Sequence, residues 1–272
     1  MNKYVQIEFK NISGDQSDLL IALLNEIGFD GFEEDNSTLK AFIPEAYFDK
    51  SVLKKSIESL QISFSETIIE ETNWNKVWES NFEPVIVDDF VAVRAEFHKP
   101  IKEVKYEIII TPKMSFGTGH HATTYMMMQQ MGYLDFKDKT VFDFGTGTGV
   151  LAILAEKLGA TKIIAIDNDE WSIENADENI KRNSCMVIEL QLTNTADVKS
   201  GFSIILANIN KNIILENLEF LANQLLPGGI LLLSGLLATD DKEISDKCNK
   251  LGLKFDNTIE RHNWLFIKAS HL

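Results

Sequence analysis

The sequence predicts an α/β chain: an open, mostly parallel sheet built from βαβ units, preceded by a small α+β domain. Three observations carry that expectation. The stretch Lys139–Asp169, KTVFDFGTGTGVLAILAEKLGATKIIAIDND, reads as strand, glycine turn, helix and strand. Before it, about seventy residues alternate strand and helix signals at short spacing. After it, helical and apolar strand segments alternate to the end of the chain, as a sheet covered by helices requires.

In chain order, Tyr4–Phe9 alternates apolar and polar residues as a half-buried strand does. From Asp15 to Ile27 the apolar residues 19, 20, 23, 24 and 27 share one helical face, and Gly28 provides the stop. Gly31–Glu34 and Thr38–Ile43 form a strand pair around an Asp35-Asn36 turn. A helix over Asp49–Leu60, with Val52, Leu53, Ile57 and Leu60 on one side, and a strand over Ile62–Glu70 complete β-α-β-β-α-β. That order is the split βαβ of a ferredoxin-like domain, with antiparallel strands and both helices on one face. Residues 1–72 form this domain, 73–83 a connector and 84–272 the larger domain. The connector NWNKVWESNF spaces Trp74, Trp78 and Phe82 four apart on a predicted helix, an aromatic stripe suited to packing.

Pro84 opens two apolar runs, Val85–Phe97 and Lys105–Pro112, expected to pair as a hairpin across Glu96–Glu103. The segment SFGTGHHATT, Ser115–Thr124, combines two glycines, three threonines and two histidines without an apolar run. It is a candidate binding loop, and an amphipathic helix through Met131 is expected to follow. The adjacent histidines have no third or fourth ligand at a familiar spacing, so no metal site is expected.

Thr140–Phe144 suits a buried parallel strand, and Gly145, Gly147 and Gly149 let the backbone turn where side chains would block a ligand. A dinucleotide fingerprint wants Gly-x-Gly-x-x-Gly; here Val150 follows Gly149, and Asp143 precedes the glycines. An acid at that place suits a cationic ligand, such as the sulfonium and amino acid end of S-adenosylmethionine, better than a pyrophosphate. A nicotinamide-binding unit is the competing reading of the same glycines. Asp167, at the end of strand Lys162–Ile166, can accept hydrogen bonds from both hydroxyls of a ribose. Asp169–Asn183 is a helix and Val187–Gln191 a strand; Asn194–Asp197 follows where an adenine would lie. Phe202–Ala207 is a further strand running into Asn208-Ile209-Asn210. Asn208 stands either at the mouth of the site, where its amide orients an amine, or as a cap of helix Lys211–Leu225. A Pro-Gly-Gly turn and strand within 225–237, a helix Thr239–Leu251 and an edge hairpin of Lys254–Glu260 and Asn263–Ala269 close the sheet.

The charge balance narrows the partners. A net charge of −15 disfavours direct electrostatic binding to a nucleic-acid backbone, since phosphate contacts need clustered Lys and Arg. Residues 1–72 carry six Lys and no Arg against fourteen Asp and Glu. This excess is either a docking surface for a basic partner or ordinary acidity for solubility. No segment has the apolar length of a membrane span and MNKYVQIEFK has no signal-peptide core, so a cytoplasmic location is expected. Cys185 and Cys248 stand far apart and are expected to be reduced thiols.

With these residues in view, the chain resembles the PrmA family, the methyltransferases of large-subunit ribosomal protein L-11. The resemblance rests on the acidic ferredoxin-like start, NWNKVWESNFEPV, FGTGHHATT, DFGTGTGVLAI, the AID strand end and LANI, and so covers essentially the whole chain. It implies a class I methyltransferase sheet of Rossmann-like type and S-adenosyl-L-methionine as cofactor, with Thr124, Gly145, Gly147, Asp167 and Asn208 in its site. It also implies N-methylation of lysine side chains or the amino-terminal amine of the ribosomal protein. The small domain would recognise that substrate, with the connector letting it swing, and the enzyme would act as a monomer. Asn208 would orient the amine, with no essential base and no metal. Methylation of another amine, on a protein or a small molecule, and a non-catalytic module that only binds the cofactor are the other readings.

Overall fold

The computed structural model describes residues 3–35, 37–70, 82–113 and 117–271. The chain divides into two compact units, Met1–Asn81 and Phe82–Leu272. Asn36, Ser115, Phe116 and the connector up to Asn81 lie outside the described residues.

In the first unit, strands β1 (Lys3–Lys10), β2 (Gly31–Asp35), β3 (Thr38–Pro44) and β4 (Phe64–Glu70) form an antiparallel sheet in the order β2-β3-β1-β4. Helices α1 (Gly14–Glu26) and α2 (Lys50–Ile57) cover it. Alternation sets the core: Val5, Ile7 and Phe9 on β1 and Leu39, Ala41 and Ile43 on β3 pack under Leu20, Leu24 and Leu53. Each helix start is capped as its sequence suggests. Ser13 and Gln16 form a reciprocal capping box, and Asp49 accepts from the Ser51 and Val52 amides. Val52, expected on the buried side of α2, is 43% exposed, because α2 buries only Leu53 and Ile57.

The second unit is an α/β fold with a mixed seven-stranded sheet. Its strands are β8 (Thr140–Phe144), β9 (Lys162–Asp167), β10 (Ile188–Leu192), β11 (Phe202–Asn208), β12 (Leu225–Leu237), β13 (Leu253–Arg261) and β14 (Trp264–His271). Their order is β10-β9-β8-β11-β12-β14-β13, parallel except for β14, which runs antiparallel to β12 and β13. Four helices connect them: α4 (Val150–Lys157), α5 (Glu170–Arg182), α6 (Lys211–Asn223) and α7 (Asp241–Lys250). The central strands are apolar on both faces because both are covered. On β8, Val141 joins the core under α4, whereas Phe142 and Phe144 join the one under α6 and α7. Phe142 stacks on Phe202 at 5.1 Å, and burying each ring contributes about 2–3 kcal/mol.

Two expectations fail here. The run from Val85 is two strands, β5 (Val85–Val87) and β6 (Val91–Ala95), because Asp88 turns the chain with φ of +52°. Strand β7 (Tyr106–Ile110) then pairs with β6 in parallel instead of closing a hairpin. The buried Arg94 braces this connection. Its guanidinium makes a two-point contact with Glu107 at 2.8 and 2.9 Å and donates to the Ala95 and His98 carbonyls, while Glu107 also accepts the Ile101 amide. These bonds fold 96–105 back along the strand ends as a crossover. The second failure is helix α3 (Ala122–Met131), expected to be amphipathic. It buries Ala122, Thr123, Thr124, Met126, Met127, Met128 and Met131, so its polar residues at the start face protein, not water.

Candidate functional site

Strand register builds the site. Phe144 on β8 is level with Ile166 on β9 and with Ala207 on β11. The next residues, Gly145, Asp167 and Asn208, therefore end three neighbouring strands at one height. They lie where the strand order reverses, with β9 and β10 to one side of β8 and β11 and β12 to the other. An open α/β sheet leaves its ligand crevice at that point.

The glycine turn is held by its neighbours. The Gly145 and Thr146 amides both donate to the Ile166 carbonyl, and Gly147 donates to Asp167 Oδ2 at 2.9 Å. Gly145 has φ of +78°, and a Cβ there would lie 2.8 Å from Ile209 Cδ1, closing the space that the bare backbone leaves. Asp167 Oδ1 accepts the Asp169 amide at 3.1 Å. Each of its oxygens has accepted one backbone donor and retains a second lone pair, so a diol can still be bound. Beneath the turn Asp143 is 1% exposed and receives the Thr146 hydroxyl on Oδ2 at 2.6 Å; Oδ1 has no partner among the described residues. Burial pushes this carboxyl up to about 7; the Thr146 hydrogen bond opposes the rise and the negative charge of Asp167 adds to it.

Thr124 and Asn208 meet across the crevice. Asn208 Nδ2 donates to Thr124 Oγ1 at 3.0 Å, and both side chains are buried. Asn208 does not cap the following helix: that role belongs to Asn210, whose Oδ1 accepts the Ile213 amide. Asn208 Oδ1 is buried with no partner among the described residues. The loop before α3 is fastened to the glycine turn by the Thr148 hydroxyl, which donates to the Gly117 carbonyl at 2.8 Å.

All five residues singled out from the sequence thus converge. Thr124, Gly145 and Asn208 line a narrow slot with Gly117 and Thr148. Gly145, Gly147, Asp167 and Asn208 line a cavity of about 350 Å³. A third cavity, of about 290 Å³, continues along Asp167 and Asn168 to Thr193 and Asn194. The 350 Å³ cavity also contains residues that were not singled out individually: His121 of the candidate binding loop, Trp264 and Gly235. His121 caps α3, its Nδ1 accepting the Thr123 amide, and its ring meets the edge of Trp264 at 4.5 Å; burial holds its pKa below the ordinary value. Trp264 arrives from the β13–β14 hairpin, whose closeness only the folded sheet reveals. Gly235 did carry a signal, since a glycine inside a strand pattern marks a bulge or a close backbone approach. It has φ of +82°, and a Cβ would fall 2.3 Å from the Ile209 carbonyl oxygen. Among the described residues no group of three His, Cys, Asp or Glu is placed to hold a metal, and no helix is long and apolar enough to cross a membrane.

The arrangement fits a nucleoside bearing a cationic amino acid tail. Among the described residues, a buried carboxyl oxygen of Asp143 and the buried amide oxygen of Asn208 have no hydrogen-bond partner, Asp167 offers acceptors at the next strand end, and the space beyond Gly145 exists because that residue has no Cβ.

Comparison with known proteins agrees. The family model for ribosomal protein L11 methyltransferase (PrmA) matches residues 18–271. The ribosomal protein L11 methyltransferase of Phocaeicola vulgatus is 36% identical, covering 98% of each chain. That of Porphyromonas gingivalis is 39% identical over 92% of this chain and 89% of its own. Among solved structures, the ribosomal protein L11 methylase of Lactobacillus delbrueckii subsp. bulgaricus superposes with a TM-score of 0.65. It is 30% identical, covering 70% of this chain and 99% of that one.

Proposed function

Since this chain belongs to the ribosomal protein L11 methyltransferase (PrmA) family, we propose that its strand-end crevice is where amines of ribosomal protein L11 are methylated with S-adenosylmethionine. The observation that carries the reading is the Asn208 amide: buried, anchored to Thr124 through Nδ2, and left with an oxygen that has no partner among the described residues at the wall shared by the slot and the large cavity.

S-adenosylmethionine, when bound, supplies a methyl group made electrophilic by the sulfonium charge. The protein's part is orientation. Gly145 and Gly147 present bare backbone to the amino acid tail, Thr124 shapes the slot, and Asp167 accepts the ribose hydroxyls. Asn208 Oδ1 and the neighbouring backbone carbonyls accept N–H bonds from the substrate amine and aim its lone pair. A free lysine amine has a pKa of about 10.4 and must be neutral to attack. The mostly apolar cavity wall, including Trp264, disfavours the ammonium form and the proton leaves to water. No side chain serves as an essential base and no metal is needed.

The first unit is the substrate-recognition domain, with a ferredoxin-like fold; its β-α-β-β-α-β order and β2-β3-β1-β4 sheet support this. Its acidity suits a basic ribosomal protein. The enzyme works in the cytoplasm as a monomer and makes no direct nucleic-acid contact, in keeping with its net charge of −15.

Intact-mass spectrometry of purified L11 after incubation with this protein and S-adenosylmethionine, followed by peptide mapping, tests the function. Increments of whole methyl groups on lysines or the amino terminus are expected. An unchanged mass, with cofactor binding confirmed by calorimetry, would overturn the substrate.

A further inference from the structure

Helix α5 carries Asn175 and Asn179, and Asn183 is its C-cap, each one turn from the next; all three reach the backbone of β7 or the segment after it. Asn183 brackets Ile109, accepting its amide at 3.0 Å and donating to its carbonyl at 2.6 Å. Asn175 donates to the Thr111 carbonyl at 3.2 Å. Asn179 differs from both. It accepts the Thr111 amide on Oδ1 at 2.7 Å and donates through Nδ2 to the Thr148 carbonyl, inside the glycine turn, at 2.8 Å. Its side chain is fully buried.

We infer that Asn179 is a positioning residue for the cofactor site, a buried two-ended brace that fixes the glycine turn against the strand leading into the Gly117–His121 loop. The inference rests on the crevice being the S-adenosylmethionine site. Thr148 is held twice, its carbonyl by Asn179 and its hydroxyl by the Gly117 carbonyl, so turn and loop share one anchor. Only an amide supplies one donor and one acceptor in this geometry; a leucine of similar size would strand the Thr111 N–H and the Thr148 C=O. Asn183 is the internal control, for its side chain makes three bonds at the C-cap of the same helix, against two for Asn179, and touches no part of the turn.

The test compares Asn179→Leu with Asn183→Leu, measuring melting temperature and calorimetric affinity for S-adenosylhomocysteine. Both variants should melt lower than the native protein. Asn179→Leu should lose at least about tenfold in affinity, while Asn183→Leu stays within about twofold. Equal affinities for the two variants would overturn the brace, whereas failure of the native protein to bind would instead overturn the assignment of the crevice. Should Asn179→Leu not fold, hydrogen exchange on the native chain decides. Adding S-adenosylhomocysteine should slow the Thr111 amide more than the Ile109 amide; equal or absent slowing at Thr111 would refute the inference.

Discussion

Asn208 and Asn210 stand two residues apart and are set to different tasks by one torsional step. Asn210 has left the strand and turns its oxygen onto the Ile213 amide, so it works as a helix cap. Asn208 is still the last residue of β11, with its amide in the crevice. Asn210→Ala should therefore cost about 1 kcal/mol of stability and, although Asn210 also lines the 350 Å³ cavity, lower kcat less than Asn208→Ala does. Asn208→Ala should lower kcat by about tenfold or more at saturating cofactor with a smaller effect on melting. Denaturant unfolding and steady-state methylation of both variants check the division, and full turnover by Asn208→Ala would refute the orienting role. Asp143 supplies a second residue-level expectation, through pH. Folded, it holds its proton up to about 7, against 3.8 as the ordinary value it takes when unfolded. Between those values the folded chain binds one more proton than the unfolded one, so this acid's stabilising contribution is whole below about pH 4, falls as pH rises, and is gone above about pH 7. Asp143→Asn cannot titrate. The stability of the native chain relative to Asp143→Asn should thus fall between about pH 4 and about pH 7 in urea titrations; a constant difference would mean that the carboxyl is not held neutral.

Elements, more than residues, decide what could be read in advance. The strand–turn–helix around the glycines is local, its signals lie within a few residues of one another, and β8, α4 and β9 were legible from end to end. Asp167 and Asn208 could be placed at strand ends, but their level alignment with Gly145 depends on inter-strand register. The parallel pairing of β6 and β7 was not legible, because apolar alternation says nothing about strand direction; the Arg94–Glu107 contact that accompanies it is formed only in the fold. Trp264 was hidden for the same reason, being brought to the crevice by a hairpin far along the chain. Gly235 shows the element at work: β12 shifts register between Leu233 and Leu236, and the glycine lets its backbone pass under Ile209. Gly235→Ala would set a Cβ against main-chain atoms that cannot swing aside and would add left-handed strain. It should cost about 2 kcal/mol or more in denaturant unfolding and depress turnover as Asn208 shifts with Ile209. Gly145→Ala carries similar left-handed strain, but its Cβ meets only side-chain atoms of Ile209, the nearest being the movable Cδ1, so it should destabilise less. The reverse ranking would refute this account of the bulge.

At the scale of the whole molecule the dominant quantity is charge. Of the net −15, residues 1–72 hold −8 in about a quarter of the length, an excess that remains after every lysine of the segment, including those in exposed ion pairs such as Lys50–Glu66 at 2.7 Å, is counted. Surface pairs of this kind add at most about 1 kcal/mol to stability, so the surplus acid needs another reason to be there. A basic substrate supplies one. Opposite net charges speed encounter over distances that salt shortens, the screening length being about 10 Å at 0.1 M. The cofactor meets a different field: it enters a crevice whose contacts are short and partly buried, where screening acts weakly. Raising ionic strength should therefore raise KM for L11 severalfold while changing S-adenosylmethionine affinity little. Replacing exposed Glu33, Glu34 and Asp35 on β2 by neutral amides should flatten that salt dependence without altering cofactor binding. Methylation kinetics across a salt series, run beside calorimetry with the cofactor, read the two effects separately. A KM for L11 that ignores salt would mean that the acidity of the first unit serves solubility and takes no part in capture.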